Sequence, residues 1–94
     1  MSGVDTKAFE AELVGRGCPQ IGIVDWPPGR ISAEHAHEFT ACGLILDGEF
    51  TLETCAGQQL LQAGDRFEVA AGTPHVERVG PAGVRILSGR LDAG

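Results

Sequence analysis

Residues 29–48, GRISAEHAHEFTACGLILDG, decide the fold and carry two of the three histidines in the chain. Side chains on a β-strand alternate between its two faces, so residues two positions apart point the same way. A strand over residues 31–37 would place its odd-numbered side chains, His35 and His37 among them, on one face. The stretch therefore predicts a strand that brings two imidazoles to the interior side of a sheet.

The third histidine, His75, follows the turn sequence Ala71-Gly72-Thr73-Pro74. Proline fixes φ and glycine admits unusual backbone angles, so such a turn can aim the residue that follows it. We expect His75 to open a strand, with Glu77 on the same face. Imidazole is a common ligand of first-row transition metals, so three converging histidines predict a metal site.

The rest of the chain consists of short apolar runs separated by glycine and proline. The whole chain contains fourteen glycines and five prolines. This pattern is typical of a sandwich or barrel of short antiparallel strands. Asp47-Gly48, between two apolar runs, predicts a tight hairpin turn. Residues 5–14 predict one helix, with Phe9 and Leu13 on the same side. The predicted strands cover residues 20–25, 31–37, 41–46, 49–55, 59–61, 66–70, 75–79 and 85–91.

Two motifs resemble those of the cupin family, and together they span residues 29–79. The first family motif, G-x5-H-x-H-x3-E-x6-G, is similar to Gly29, His35, His37, Ala41 and Gly48 at the same spacing. The second, G-x5-P-x-G-x2-H-x3-N, is similar to the set Gly64, Ala70, Gly72, His75 and Val79. The resemblance implies an all-β cupin jelly-roll barrel, here with a short N-terminal helix.

The resemblance also implies a ligand set for a divalent metal: zinc, iron, manganese, nickel or copper. The family's histidine positions fall on His35, His37 and His75, but its glutamate position is Ala41, which offers no donor atom. Glu77 could supply the missing ligand. Cys42 is a less favoured alternative, because strand alternation points it away from Ala41. Water or a substrate completing a three-histidine site is the third reading.

The remaining expectations concern function. Phe39, Leu44, Leu46, Phe50 and Phe67 should line the interior and wall a ligand pocket. The chain would be a metal-dependent enzyme, of dioxygenase or isomerase type, acting on a small organic molecule. Alternatively, it would be a binding or sensing cupin without chemistry, with or without a metal, and motivated by Ala41. A barrel that is only a scaffold is the third possibility.

Length and charge limit the partners. Ninety-four residues make one domain, divided into a helical segment over 1–18 and a barrel over 19–94. A formal charge of −6 argues against nucleic acid and anionic membranes. No apolar run reaches the ~20 residues of a membrane span, and no basic region precedes an apolar leader. Three widely spaced cysteines favour free thiols in a reducing cytoplasm, and exposed strand edges favour a homodimer.

Overall fold

The computed structural model describes residues 4–92. Within that range it contains one helix and five strands: α1 (Thr6–Gly15), β1 (Ile21–Trp26), β2 (Phe39–Thr54), β3 (Gly57–Gln62), β4 (Arg66–Val69) and β5 (Val76–Asp92). The predicted all-β fold with a short N-terminal helix is confirmed. Among these residues, no helix is long and apolar enough to cross a bilayer. The three cysteines are free thiols.

Helix α1 forms where the sequence predicts it. The Asp5 side chain caps its first turn by accepting a hydrogen bond from the Ala8 amide at 3.1 Å, which satisfies one of the free donors at a helix start. Phe9 and Leu13 are its buried residues. The division into 1–18 and 19–94 stays a prediction, and residues 1–3 and 93–94 of those segments lie outside the described range.

Strands β2 and β5 form the centre of the sheet, and every strand pair is antiparallel. The order is β1-β5-β2-β3, with β4 also paired to β2. β2 and β5 pair from Phe39–Asp92 at one end to Glu53–Val76 at the other, with register shifts near the middle. At those shifts the long strands bend, so β4 pairs with the first half of β2 and β3 with the second.

The predicted hairpin at Asp47-Gly48 is wrong, because β2 continues straight through it. Gly48 has a positive φ of 85°, but it lies within β2, at a point where the pairing register with β5 shifts. A Cβ at this position would lie 2.0 Å from the carbonyl oxygen of Gly83 on β5, so only glycine permits the two backbones to approach so closely. Residues 80–83 lie between two predicted strands, 75–79 and 85–91, but they do not separate them in the structure. They form instead an irregular part of β5 opposite Glu49.

The predicted strand over residues 31–37 is also wrong. The segment makes only two isolated bridges to β5, Ile31 with Arg78 and His35 with His75. Four positions separate Ile31 from His35, but only three separate His75 from Arg78. The extra residue acts as a bulge and reverses the alternation of faces. Ile31 is therefore 61% exposed, whereas His35 points inward.

Two apolar clusters lie on opposite sides of the sheet. The first, called here the inner cluster, fills the barrel and contains Ile45, Phe50, Leu52, Leu61, Val69, Val79, Val84 and Ile86. The helix-side cluster lies beneath α1 and contains Phe9, Leu13, Cys42, Leu44, Leu87 and Leu91. The prediction that Leu44 and Leu46 line the interior is wrong. Both pack with the helix-side cluster, because β2 is covered on both faces.

Candidate metal centre

A cavity of about 230 Å³ opens beside the inner cluster. Residues from both halves of the sequence form it, because the segment before β2 lies against β5. Apolar side chains make one part of its wall, namely Trp26, Phe39, Ala41 and Phe67. Charged and polar side chains make the other part: Arg30, His35, His37, Glu77 and Arg90. The cavity therefore combines an apolar surface with a group of ionisable side chains.

His35 and His37 line this cavity, and the buried ring of His75 lies against both of them. One ring nitrogen from each of His35, His37 and His75 lies within 4.8 Å of the others. The ring centroids are 4.4 Å apart for His35 and His75, and 4.8 Å apart for His35 and His37. Reciprocal backbone hydrogen bonds of 2.9 and 3.0 Å hold His35 against His75. The convergence predicted from the sequence is therefore present.

Backbone carbonyls fix the tautomers of two of the rings. Nδ1 of His35 lies 2.8 Å from the carbonyl oxygen of Ala33, and Nδ1 of His75 lies 2.9 Å from that of Thr73. A carbonyl oxygen only accepts, so each Nδ1 carries the proton. In the neutral ring Nε2 then keeps its lone pair, as in the outer-shell arrangement that orients histidine ligands in metal sites.

Glu77 faces these lone pairs from β5. Its side chain is largely buried, and its Oε1 lies 3.8 Å from Nε2 of His35. Oε2 lies 3.7 Å from Nε2 of His75. Two ligands of a tetrahedral ion with bonds of about 2.1 Å are about 3.4 Å apart. The two Glu77 distances are close to this spacing, and the donor types suit a small divalent cation.

His37 completes the cluster in its neutral form. Burial lowers the pKa of His37 below its usual value of 6.5, and the neighbouring His35 and His75 lower it further. Its ring stacks on Phe39 at a centroid distance of 4.6 Å. A neutral imidazole can bind a metal and a protonated one cannot. The surroundings of His37 therefore favour its metal-binding form near neutral pH.

Other predicted site residues lie elsewhere. Cys42 packs in the helix-side cluster, on the opposite face of β2 from the cavity, so the structure does not bring it to the imidazoles. Burial, and then the charge of Glu68, raises the pKa of its thiol to about 11. Phe50 is buried in the inner cluster, where its ring packs against those of Phe67 and Trp26, and it does not line the cavity. Of the predicted pocket residues, Phe39 and Phe67 line the cavity.

Sequence reasoning missed the two arginines of the cavity. The guanidinium carbon of Arg30 lies 4.6 Å from the centroid of the Trp26 ring, and that of Arg90 lies 4.5 Å from the Phe39 ring. Arg30 directly follows Gly29 of the first motif, which was a usable signal. Arg90 had none, because its approach to the cavity depends on how β5 pairs with β2.

The cupin domain family model matches residues 22–90, most of the chain. The chain belongs to the cupin family. A search of curated protein sequences finds no significant match.

Several solved structures share the fold at low identity. A cupin superfamily protein from Desulfitobacterium hafniense is 23% identical over 79% of this chain and 67% of its own, with a TM-score of 0.69. The Cnp3 cupin domain of Schizosaccharomyces pombe is 19% identical over 78% and 55%, with a TM-score of 0.70. KdgF from Halomonas sp. is 23% identical over 78% and 68%, with a TM-score of 0.64. These likenesses show the fold, which hosts many functions.

This cupin departs from the first family motif at a position that matters. Ala41 lies on the cavity wall, so the motif's glutamate would have reached the cavity from β2. The described cavity instead receives a carboxylate from β5, through Glu77. The carboxylate at this cavity thus comes from β5, whereas the glutamate position of the motif lies on β2.

Proposed function

We propose that this cupin holds one divalent transition metal through His35, His37 and His75, with Glu77 as the fourth protein ligand. The metal would lie beside a cavity that takes a small organic molecule. The observation that carries the proposal is the fixed tautomer of His35 and His75. Both rings donate Nδ1–H to a carbonyl and present Nε2 to the same carboxylate. An ion pair alone would need one of these rings to be protonated.

The protein's own residues would orient the ligands and limit the access of water. The carbonyls of Ala33 and Thr73 hold two rings in place. The apolar wall of Phe39, Phe67 and Trp26 covers one side of the cavity and strengthens electrostatic interactions inside it. A bound metal would supply Lewis acidity toward an oxygen of the organic molecule.

Chemistry at this site, of the dioxygenase or isomerase type, is one version of the proposal, and binding or sensing without turnover is the other. Ala41 favours binding, because a site that departs from the family's ligand set need not keep its reaction. Turnover of a small-molecule substrate that disappears in His37→Ala would decide for the enzyme. Metal-dependent binding without turnover would decide for the sensor.

The test of the metal site is a titration with Co(II), whose visible spectrum reports its ligands. We expect one Co(II) per wild-type chain. Losing a metal's outer-shell partner typically costs 10–100-fold in affinity, so removal of a direct ligand in His75→Gln should weaken affinity by more than about 100-fold. Cys42→Ala, on the other face of β2, should bind as the wild type does. Equal binding by wild type and His75→Gln would refute the proposed site.

Two further expectations stay predictions. The cytoplasmic location rests on the free cysteines alone. A homodimer is supported by the position of β1 at the edge of the sheet, where Ile23 is exposed. Light scattering on the purified chain measures its mass directly, and a monomer at all concentrations would exclude the dimer.

A further inference from the structure

We infer that the organic molecule bound in the cavity is a small carboxylate, and that Arg30 binds its carboxylate group. This inference rests on the proposed function and specifies the class of ligand. Three features carry it: an unsatisfied donor on Arg30, an excess of positive charge around the cavity, and the size and apolar wall of the cavity.

The first feature is Nη1 of Arg30. Among the described residues it is the buried side-chain nitrogen or oxygen that lacks a hydrogen-bond partner. Its nearest acidic atom, Oε1 of Glu77, lies 4.0 Å away, which is too far for a hydrogen bond. A buried donor on a charged group that stays unsatisfied costs free energy, so an acceptor from a ligand would stabilise this position.

The position of Arg30 is held by its surroundings. The guanidinium carbon of Arg30 lies 4.6 Å from the centre of the Trp26 ring. The backbone carbonyl oxygen of Arg30 accepts a 2.8 Å hydrogen bond from the Val79 amide on β5. A guanidinium placed on an aromatic ring keeps its planar edge of N–H donors available, and that edge matches the two oxygens of a carboxylate.

The second feature is the charge around the cavity. Arg30 and Arg90 both line it, and Glu77 is the acidic residue among its described lining residues. With a divalent metal at the imidazoles, the positive charges would outnumber the negative ones by three. This local excess occurs in a chain whose formal net charge is −6. An anionic ligand would reduce it.

The third feature selects a small organic anion. The cavity of about 230 Å³ is smaller than typical ligand pockets of roughly 300–1,000 Å³. Part of its wall is the aromatic surface of Trp26, Phe39 and Phe67. Such a wall suits the carbon skeleton of a short carboxylic acid better than a fully hydrated inorganic oxyanion.

The experiment measures anion binding to the Co(II)-loaded chain by calorimetry and by the Co(II) visible spectrum. The probes are acetate, glycolate, pyruvate and malonate, each paired with its uncharged amide, and sulfate as the inorganic anion. We expect at least one carboxylate to bind with a Kd of about 1 mM or tighter. Its amide and sulfate should bind at least about tenfold more weakly.

Variants at Arg30 separate its role from that of the metal. Arg30→Gln should weaken carboxylate binding by at least about tenfold, and Arg30→Lys, which keeps the charge but not the planar edge, should give an intermediate value. Arg85→Gln is the matched control. It removes the same charge from an exposed residue that pairs with Asp25 outside the cavity, and it should change nothing.

The outcomes distinguish the inference from the proposed function. A wild-type chain that fails to bind Co(II) overturns the proposed function, and the inference falls with it. Normal Co(II) binding overturns the inference alone if no carboxylate binds, if amides or sulfate bind as well as the acids, or if Arg30→Gln binds them like the wild type. Co(II) titration and thermal melting are the controls that test whether each variant is folded.

Discussion

Ala41 and Cys42 are neighbours on β2, yet their side chains lie in two different environments. Ala41 lines the cavity on the inner side, where five of the lining side chains are ionisable: two arginines, two histidines and one glutamate. Cys42 lies on the helix side, among Phe9, Leu13 and Leu44. The helix-side cluster is closed by an amphipathic helix and contains only apolar side chains and a thiol. One strand thus separates a packed apolar layer from a small cavity that combines an apolar wall with ionisable side chains.

The difference indicates that the helix side of the sheet contributes to stability and that the inner side provides the candidate site. The helix-side cluster buries apolar surface, and the ion pairs at its rim, Arg16–Glu68 and Arg66–Glu12, are exposed and contribute little to stability. The inner side contains a cavity instead of continuous apolar packing, and imidazoles, a carboxylate and two guanidinium groups lie close together there. We therefore expect mutations on the two sides to have separable effects on stability and on metal binding.

The largest expected effect is on stability at the helix side. Leu13→Ala removes a fully buried side chain from beneath the sheet and should lower the free energy of unfolding by about 2–5 kcal/mol. Co(II) affinity of the folded variant should stay at the wild-type value, because Leu13 is not in contact with the cavity. Chemical denaturation measures the first quantity and Co(II) titration the second.

Val14→Ala is the matched control, because Val14 is an exposed residue of the same helix. Its free energy of unfolding should change by less than about 0.5 kcal/mol. A large loss of Co(II) affinity in folded Leu13→Ala would show that the two sides are not independent.

An intermediate effect is expected for the carboxylate on the inner side. Glu77→Gln keeps the size of the side chain but removes its charge and one strong donor. The amide oxygen of the glutamine can still coordinate weakly, so Co(II) affinity should fall by roughly 10–100-fold, less than in His75→Gln. Glu53→Gln provides the comparison, since Glu53 pairs with Arg78 on the surface. Equal affinities for the two variants would remove Glu77 from the ligand set.

The smallest expected effect concerns pH. The pKa of His37 is lowered in the folded chain, so between that value and 6.5 the unfolded chain binds more protons than the folded one. The free energy of unfolding of the metal-free protein should therefore decrease as pH falls through this window. Thermal melting from pH 8 to pH 5 measures the decrease, and His37→Gln should show a shallower dependence. An identical pH profile in both proteins would contradict the cause assigned here.

The sequence predicted the helix, most strand positions and the histidine cluster, because each depends on local signals. Asp5 caps the helix, and the histidines that the motif spacing pointed to converge in the structure. The two backbone errors, at residues 31–37 and at Asp47-Gly48, share one physical origin. Irregular pairing with β5 changed the alternation of faces before His35 and let β2 continue through the hairpin predicted at Asp47-Gly48. Such a bulge depends on how two distant segments pair. For the same reason, the role of Arg90 could not be read from the sequence.

The most direct measurement is anomalous diffraction at the metal edge, from crystals of the chain loaded with Co(II) or Zn(II). The account predicts one strong peak per chain, about 2.0–2.1 Å from a ring nitrogen of each of His35, His37 and His75, with a Glu77 oxygen at a similar distance. A peak elsewhere, or none at the three imidazoles of a fully loaded chain, would contradict it.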